Sequence, residues 1–292
     1  VATGGQILGG LTFKELVRRV WKEAVEDSIS GRSAELAFYL LLALFPFLIF
    51  LLSLISFIPG AQEVVLGWVS RVMPSEAVGL INDWVADVFS VRSGGFLSFG
   101  IIVTLWAASS GMAALMEALN TAYEVKEGRA FLKARLVALG LTAAVSLFVV
   151  GGALLITLGG QLATLIADWF RLDYQLRYVW PFIRFGVGLL LLLVGLDTVY
   201  HFAPNAVQRF KLITHGALFA VVGIIGVSYC FSIYLRVAPR YDATYGSLGA
   251  VMVLMLWLYL MGLIVLVGAE INSEIDKARG NPKREKVSFA DD

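Results

Sequence analysis

Asp197, Tyr200 and His201 stand at i, i+3 and i+4 inside the apolar run PFIRFGVGLLLLLVGLDTVYHFAP, residues 181–204. On a helix the three side chains share one face. A carboxyl, a phenol and an imidazole so arranged have the chemistry of a proton relay, because imidazole changes charge near neutral pH. A carboxylate within a hydrocarbon layer costs at least ~2.5 kcal/mol. This face is therefore expected to point into a helix bundle or a wetted cavity, with Asp197 accepting from Tyr200 or His201. The alternative is a carboxyl that is protonated or tied to a neighbouring helix and serves assembly alone. Arg184 lies roughly 140° around the same helix and is expected to snorkel to the opposite surface.

Other polar residues reach the same level once the apolar runs are laid across a bilayer. Glu35 and Tyr39 open the first run, Glu117 and Asn120 close the second, Asn205 follows the fourth, and Glu270 and Glu274 close the last. Singly, each carboxylate reads as an end-of-helix charge. Together with the Asp197 face they would line a cavity open to one side, a pathway for a substrate or an ion. Pro46 removes a backbone donor within the first run and Gly246 permits a tight entry to the last, so both are hinge candidates. Tyr241, Asp242 and Tyr245 either guard an opposite mouth or anchor at the interface.

Much chemistry is missing from the sequence. The two histidines, His201 and His215, lie in or beside different runs, and there is no HExxH, CxxC or GxxxxGK[ST] motif. No GxSxG elbow occurs. Cys230 is the one cysteine, so no internal disulfide forms. Neither cofactor nor metal is expected, nor an enzyme. A net charge of +1 with no basic groove gives no reason to expect a nucleic-acid partner.

The elements that must position these residues are membrane helices. The chain is 59% hydrophobic and 15% charged, whereas soluble domains are about 25% charged. Uncharged runs cover 36–62, 95–116, 136–166, 216–235 and 247–269. Each meets the ~20 residues needed to cross a bilayer core. A further crossing needs 181–203 and must accept Asp197 within it. The expected fold is all-α: a polytopic membrane bundle with six transmembrane helices, at about 34–58, 95–119, 136–160, 181–203, 215–237 and 246–270. It occupies a single integral-membrane domain, residues 1–275, followed by a flexible basic tail, 276–292.

Lysine and arginine concentrate in the N-terminal segment, in alternate loops and in that tail, which places both termini in the cytoplasm. No cleavable signal peptide is expected, because the first apolar run starts after more than thirty residues. Residues 12–30 read as an amphipathic helix, either lying in the cytoplasmic interface or packed as a cytoplasmic helix, that Gly31 breaks before the first span. Amphipathic stretches are also expected in the loop at 59–94 and in the loop QLATLIADWFRLDYQLRYVW, residues 161–180. Glycines such as Gly151 and Gly152, Gly186 and Gly188, and Gly223 and Gly226 predict close helix approach.

Several segments together resemble the YihY/BrkB family of bacterial inner-membrane proteins, also called virulence factor BrkB or ribonuclease BN-like. They are AELAFYLLLALFPFLIFLLSLI, LWAASSGMAALMEALNTAYEVKEGRAFLKARL, VYHFAPN and YGSLGAVMVLMLWLYLMGLIVLVGAEIN, in that order. The resemblance implies six spans, cytoplasmic termini, and roles in transport such as movement of envelope lipid or its precursors. The family pattern is intact at Tyr39, Pro46, Asn120, Pro204, Asn205, Gly246, Gly268 and Glu270. Asp197 falls outside that pattern.

The function expected on these grounds is a transporter or flippase-like protein of the inner membrane. It would move an amphipathic envelope lipid or a small polar solute, with Asp197 and His201 coupling a proton. A non-transporting scaffold for envelope assembly is the alternative. A nuclease would need a metal held by at least three of Glu35, Glu117, Asp197, His201 and Glu270. Membrane lipids are the expected partners, and the sequence leaves a homo-oligomer open.

Overall fold

The computed structural model describes residues 9–55, 63, 66–67, 96–170, 173–208, 211–237 and 247–280. Seven helices account for most of them. They are α1 (Phe13–Glu26), α2 (Ile29–Ile55), α3 (Phe96–Ala122), α4 (Phe131–Phe170), α5 (Asp173–Phe202), α6 (His215–Val237) and α7 (Ser247–Ala278).

Helix α1 starts at a capping box. The Thr12 hydroxyl accepts from the Glu15 backbone N–H, and the Glu15 carboxylate accepts from the Thr12 backbone N–H at 2.9 Å. Two hydrogen bonds from Thr12 hold the Glu15 carboxyl below its ordinary range. Gly31 was expected to end this helix. The break instead falls at Asp27–Ser28, where Ser28 takes φ 53°, and Gly31 lies inside α2. Local bonds explain the shift. Asp27 and Ser28 donate to the carbonyls of Glu23 and Val25, and Arg32 Nε donates to the Asp27 carbonyl at 3.2 Å. These bonds close the turn before Gly31 is reached.

Among the described residues, four stretches are long and apolar enough to cross a membrane: Phe131–Gly152, Val179–Phe202, His215–Tyr234 and Val251–Ala278. They match the third to sixth expected spans. The first two expected spans fall on α2 and α3, each 27 residues long and so about 40 Å. Pro46 lies inside α2, which continues past it. Within the amphipathic stretch expected at 161–180, residues 161–170 extend α4 and 173–180 begin α5. The loop at 59–94 and Gly246 lie outside the described residues, apart from 63 and 66–67.

The surface of these helices is apolar. Phe182, Phe185, Leu190 and their neighbours on α5 are exposed, whereas Asp197, Val199 and Tyr200 toward its end are buried. An apolar belt of this extent is a lipid-facing surface.

The chain divides into two compact units. One comprises Ala43–Ser109 and Thr142–Leu191, the middle stretches of the long helices. Within it Ser109 and Ser146 satisfy their hydroxyls on the Trp106 and Thr142 carbonyls of their own helices. The other comprises Val1–Leu42, Ser110–Leu141 and Leu192–Asp292. This second unit holds Glu35, Tyr39, Glu117, Asn120, Asp197, Tyr200, His201, Asn205 and Glu270, whereas Pro46 and Arg184 lie in the first.

Helix α7 is the centre of that polar unit. Leu16 and Val20 of α1 are buried with Ile275 of α7, and Val267, Ile271 and Ala278 pack against them. The same helix α1 leaves Phe13, Val17, Trp21 and Val25 uncovered, one turn apart on the adjoining face. Helix α6 meets α7 at Gly216 and Gly268. A methyl group on Gly216 would overlap the Gly268 carbonyl, and one on Gly268 would lie 2.5 Å from Tyr200 Oη and 2.7 Å from the Gly216 carbonyl. Close approach is therefore made here, and at Gly223 against Ile264. Gly151, Gly152, Gly186, Gly188 and Gly226 have open space at the Cβ position.

Candidate functional site

The polar unit is built from three buried knots with two clefts beside them. The first knot joins the turn after α3 to the turn after α5. Asn120, buried on α3, accepts from the Asn205 backbone N–H at 2.7 Å and donates to Glu127 at 3.0 Å. Asn205, fully buried, donates its amide to the Lys126 carbonyl at 3.0 Å. Glu127 also receives Arg129, through Nε at 2.6 Å and Nη2 at 2.7 Å. The same guanidinium reaches the Ala203 carbonyl at 2.7 Å and the Phe202 carbonyl at 3.4 Å. A cation there satisfies orphan carbonyls and opposes the negative end of the α5 dipole. Burial alone would raise the Glu127 carboxyl, but its bonds from Arg129 and Asn120 hold it below the ordinary range.

The second knot surrounds Asp197, buried on α5. Its donors come from Thr214, through Oγ1 at 2.6 Å and the backbone N–H at 3.3 Å. Thr214 Oγ1 in turn accepts from the Ala217 backbone N–H at 3.1 Å, so Thr214 caps the start of α6. Asn272 of α7 donates to Thr214 Oγ1 at 3.0 Å and accepts from the Gly216 N–H at 2.8 Å. Asp197 thus ties α5, α6 and α7 together. Tyr200 does not serve it: its hydroxyl donates to the Val265 carbonyl at 2.8 Å, across Gly268.

The third knot is where α1 and α2 meet α7. The carboxyl of Asp27 hydrogen-bonds that of Glu270, which is almost wholly buried. Burial, above all, raises the Asp27 carboxyl above its ordinary range, with Arg32 and Lys277 acting in the opposite sense. One turn on, Lys277 Nζ contacts Glu274 and lies 2.5 Å from Glu124 and 3.4 Å from Glu23. Arg19 approaches Glu274 at 3.8 Å. The Glu23, Glu124 and Glu274 oxygens lie within 4.8 Å of one another, which suits a cation, and the Lys277 ammonium fills that role.

The two clefts differ in lining. One, of about 400 Å³, runs along the end of α3 and the start of α4. Glu117, Asn120, Lys126 and Arg135 supply its polar side, and Met116 and Phe131 its apolar side. Arg135 Nη2 donates to Ser110 Oγ at 3.1 Å. The other, of about 310 Å³, lies between the α5–α6 turn and the end of α7. Lys211, Thr214, His215, Asp276 and Arg279 line it, with Tyr123. Lys211 and Arg279 both flank Asp276, at 3.0 and 3.9 Å.

The sequence-derived constellation is thus distributed. Asn120 and Asn205 meet in the first knot, Asp197 anchors the second, and Glu270 belongs to the third. Tyr200 fills the α5–α7 contact. Glu35 and Glu117 are exposed and share with Arg32 a crevice of about 10 Å³, about the room of one water. Tyr39 is exposed beside Phe38, and His201, half-buried, sets its ring edge-on to Phe202. No group of three among Glu35, Glu117, Asp197, His201 and Glu270 converges as metal ligands within the described residues. Sequence reasoning passed over Asp27, Arg129, Thr214, Asn272 and Lys277. Only Thr214, placed before the run HGALFAVV, carried a local signal, that of a helix N-cap.

Apolar helices of crossing length, with polar groups gathered and paired at their ends, define a polytopic helical membrane protein. The chain belongs to the family described as Virulence factor BrkB, which it matches over residues 20–291. It is 40% identical over 252 residues to the ribonuclease-like protein YfkH of Bacillus subtilis (strain 168), covering 86% of this chain and 92% of that one. It is 26% identical to a UPF0761 membrane protein of Tolumonas auensis, over 88% of this chain and 83% of that protein. A UPF0761 membrane protein of Verminephrobacter eiseniae is 25% identical over 89% of this chain, which spans 63% of that protein's length. No solved structure matches the chain.

Proposed function

We propose that the protein is a transporter or flippase-like protein of the bacterial inner membrane. It carries an amphipathic envelope lipid or a small polar solute across six spans, with both termini in the cytoplasm. The observation that supports this is the 400 Å³ cleft between α3 and α4. Its volume falls within the range of small-ligand sites. Its lining is divided: Glu117, Asn120, Lys126 and Arg135 face a polar group while Met116 and Phe131 face an apolar one. Phe131 and Leu132 beside it are exposed, so an acyl chain leaving the cleft meets apolar surface. Proton coupling through Asp197 and His201 is part of the proposal, because intramembrane ionisable groups mark ion pathways.

The test is flux in proteoliposomes, with a headgroup-labelled lipid or a labelled polar solute, with and without an imposed pH gradient. Protein-dependent flux that falls with Glu117→Ala and Lys126→Ala supports the proposal. Its absence for both substrate types overturns it. Gradient-driven flux unchanged by Asp197→Asn and His201→Ala removes the coupling part.

A scaffold is the second reading, favoured by the uncovered row Phe13, Val17, Trp21 and Val25 on α1. It requires loss of function on deleting residues 12–30 while the cleft variants remain active. We propose no nuclease activity, despite the name of the Bacillus relative. The convergent carboxylates Glu23, Glu124 and Glu274 are centred on Lys277, which opposes a second cation. Cleavage of RNA that is abolished by Glu274→Gln would overturn this.

A further inference from the structure

Asp27 and Glu270 are two acids from opposite ends of the chain whose carboxyls meet side by side. Glu270 is 1% exposed. Asp27 Oδ2 and Glu270 Oε1 are both closed to solvent, and neither receives an N–H or O–H from another residue. Two acceptor-only carboxylates repel at this separation. A hydrogen bond between them exists only when one carries a proton, and that proton belongs to the pair.

The neighbours do not replace it. Glu23 of α1 faces the pair and adds negative charge. Lys277 of α7 also faces it but is engaged with Glu23, Glu124 and Glu274. Arg32 of α2 gives its Nε to the Asp27 backbone carbonyl. The Tyr123 hydroxyl senses Glu270 through charge. The pair also sits at a mechanical joint. Asp27 forms the turn between α1 and α2, next to Ser28 at φ 53°, and Glu270 lies one helical turn before the Glu274–Lys277 contact on α7.

We propose that Asp27 and Glu270 form a proton-binding site, one proton held between two carboxyls, that latches the α1–α2 elbow onto α7 and lets it go when the proton leaves. The proton would be exchanged with water on the side of the membrane that carries α1. If the transport proposal holds, this is a second proton site beside Asp197. The latch itself does not require transport.

The full-length protein in lipid nanodiscs tests it in two ways. Infrared difference spectra between acid and alkaline pH should show a protonated-carboxyl C=O band. That band should be lost in both Asp27→Asn and Glu270→Gln and retained in Asp197→Asn. Spin labels at Trp21 and Arg279, with Cys230→Ser, should report a narrow distance distribution at acid pH and a broad one at alkaline pH. Glu270→Gln supplies an amide donor without needing a proton, so it should stay narrow at every pH, while Glu270→Ala should be broad at every pH. A wild-type distribution that ignores pH, or a Glu270→Gln protein that tracks the wild type, overturns the proposal. Neither measurement uses flux, so a protein that moves no substrate can still pass both.

Discussion

The Arg129 guanidinium donates to the Ala203 carbonyl at 2.7 Å while its other edge grips Glu127. Residues 74 positions apart are thereby joined, and the cation is buried between a carboxylate and a helix end. Removing one partner of such a pair costs about 3–5 kcal/mol. Arg129→Ala should lower the thermal midpoint in detergent sharply. Arg129→Lys should recover only part of it, since an ammonium cannot make both forked contacts. Equal midpoints for the two variants would refute the forked geometry.

The same carboxylate sets a pH dependence. Glu127 is held below its ordinary range in the folded protein. Its stabilisation is therefore present above the unfolded pKa and is lost as pH falls through the lower, folded pKa. Thermal midpoints should drop on acidification in the wild type, and less so in Glu127→Gln. Asp27 acts in the opposite direction. Its folded carboxyl is raised, so the stability it contributes is full at low pH and is lost as pH climbs through the folded pKa. A midpoint measured against pH in Asp27→Asn and Glu127→Gln separates the two slopes.

Gly268, with Gly216, permits the close approach of α6 and α7. Gly268→Ala forces a methyl against Tyr200 Oη and the Gly216 carbonyl, an overpacking that costs about 1–3 kcal/mol. Gly226→Ala, with open space at its Cβ position, should be neutral or slightly stabilising. A Gly268→Ala protein as stable as Gly226→Ala would refute the close crossing.

Asp197→Leu should destabilise the protein more than Asp197→Asn. Leucine leaves the Thr214 N–H without its acceptor, a loss of about 1–3 kcal/mol. Asparagine retains one acceptor oxygen. Hydrogen exchange at the Thr214 and Gly216 amides, which report the start of α6, should rise in the order wild type, Asp197→Asn, Asp197→Leu. No change at these amides would detach Asp197 from the α6 cap.

The membrane character of the chain was legible because it rests on composition and run length. The fifth expected span coincides with α6, whereas α4, α5 and α7 each run eight to ten residues beyond one end of the span expected there. The site was legible only as a level. Placing helices across a bilayer brought Asn120, Asp197, Asn205 and Glu270 to one level, and all four fall in one compact unit. Their partners were not legible. Asp197 pairs with Thr214 rather than with Tyr200 or His201, because rotation of α5 against α7 turns Tyr200 toward Val265. Helical spacing reveals neighbours on one helix, not what a second helix brings. Asp27 was passed over for a similar reason. In sequence it is one charge among many in a surface helix, and its meaning comes from a residue 243 positions later. Gly31 misled because glycine usually breaks helices, whereas Asp27, Ser28 and Arg32 form a tighter local turn first.

The packing of Leu16 and Val20 against Ile275 has a consequence for the order in which the protein is made. The ribosome releases α1 well before α7, and synthesis proceeds at about 5–20 residues per second. While the residues between them are made, α1 therefore lacks α7. Its whole apolar arc, later shared between α7 and the outside, must find cover elsewhere during that interval, and the membrane surface is the nearest apolar phase. α1 gains its partner only when residues 267–278 arrive.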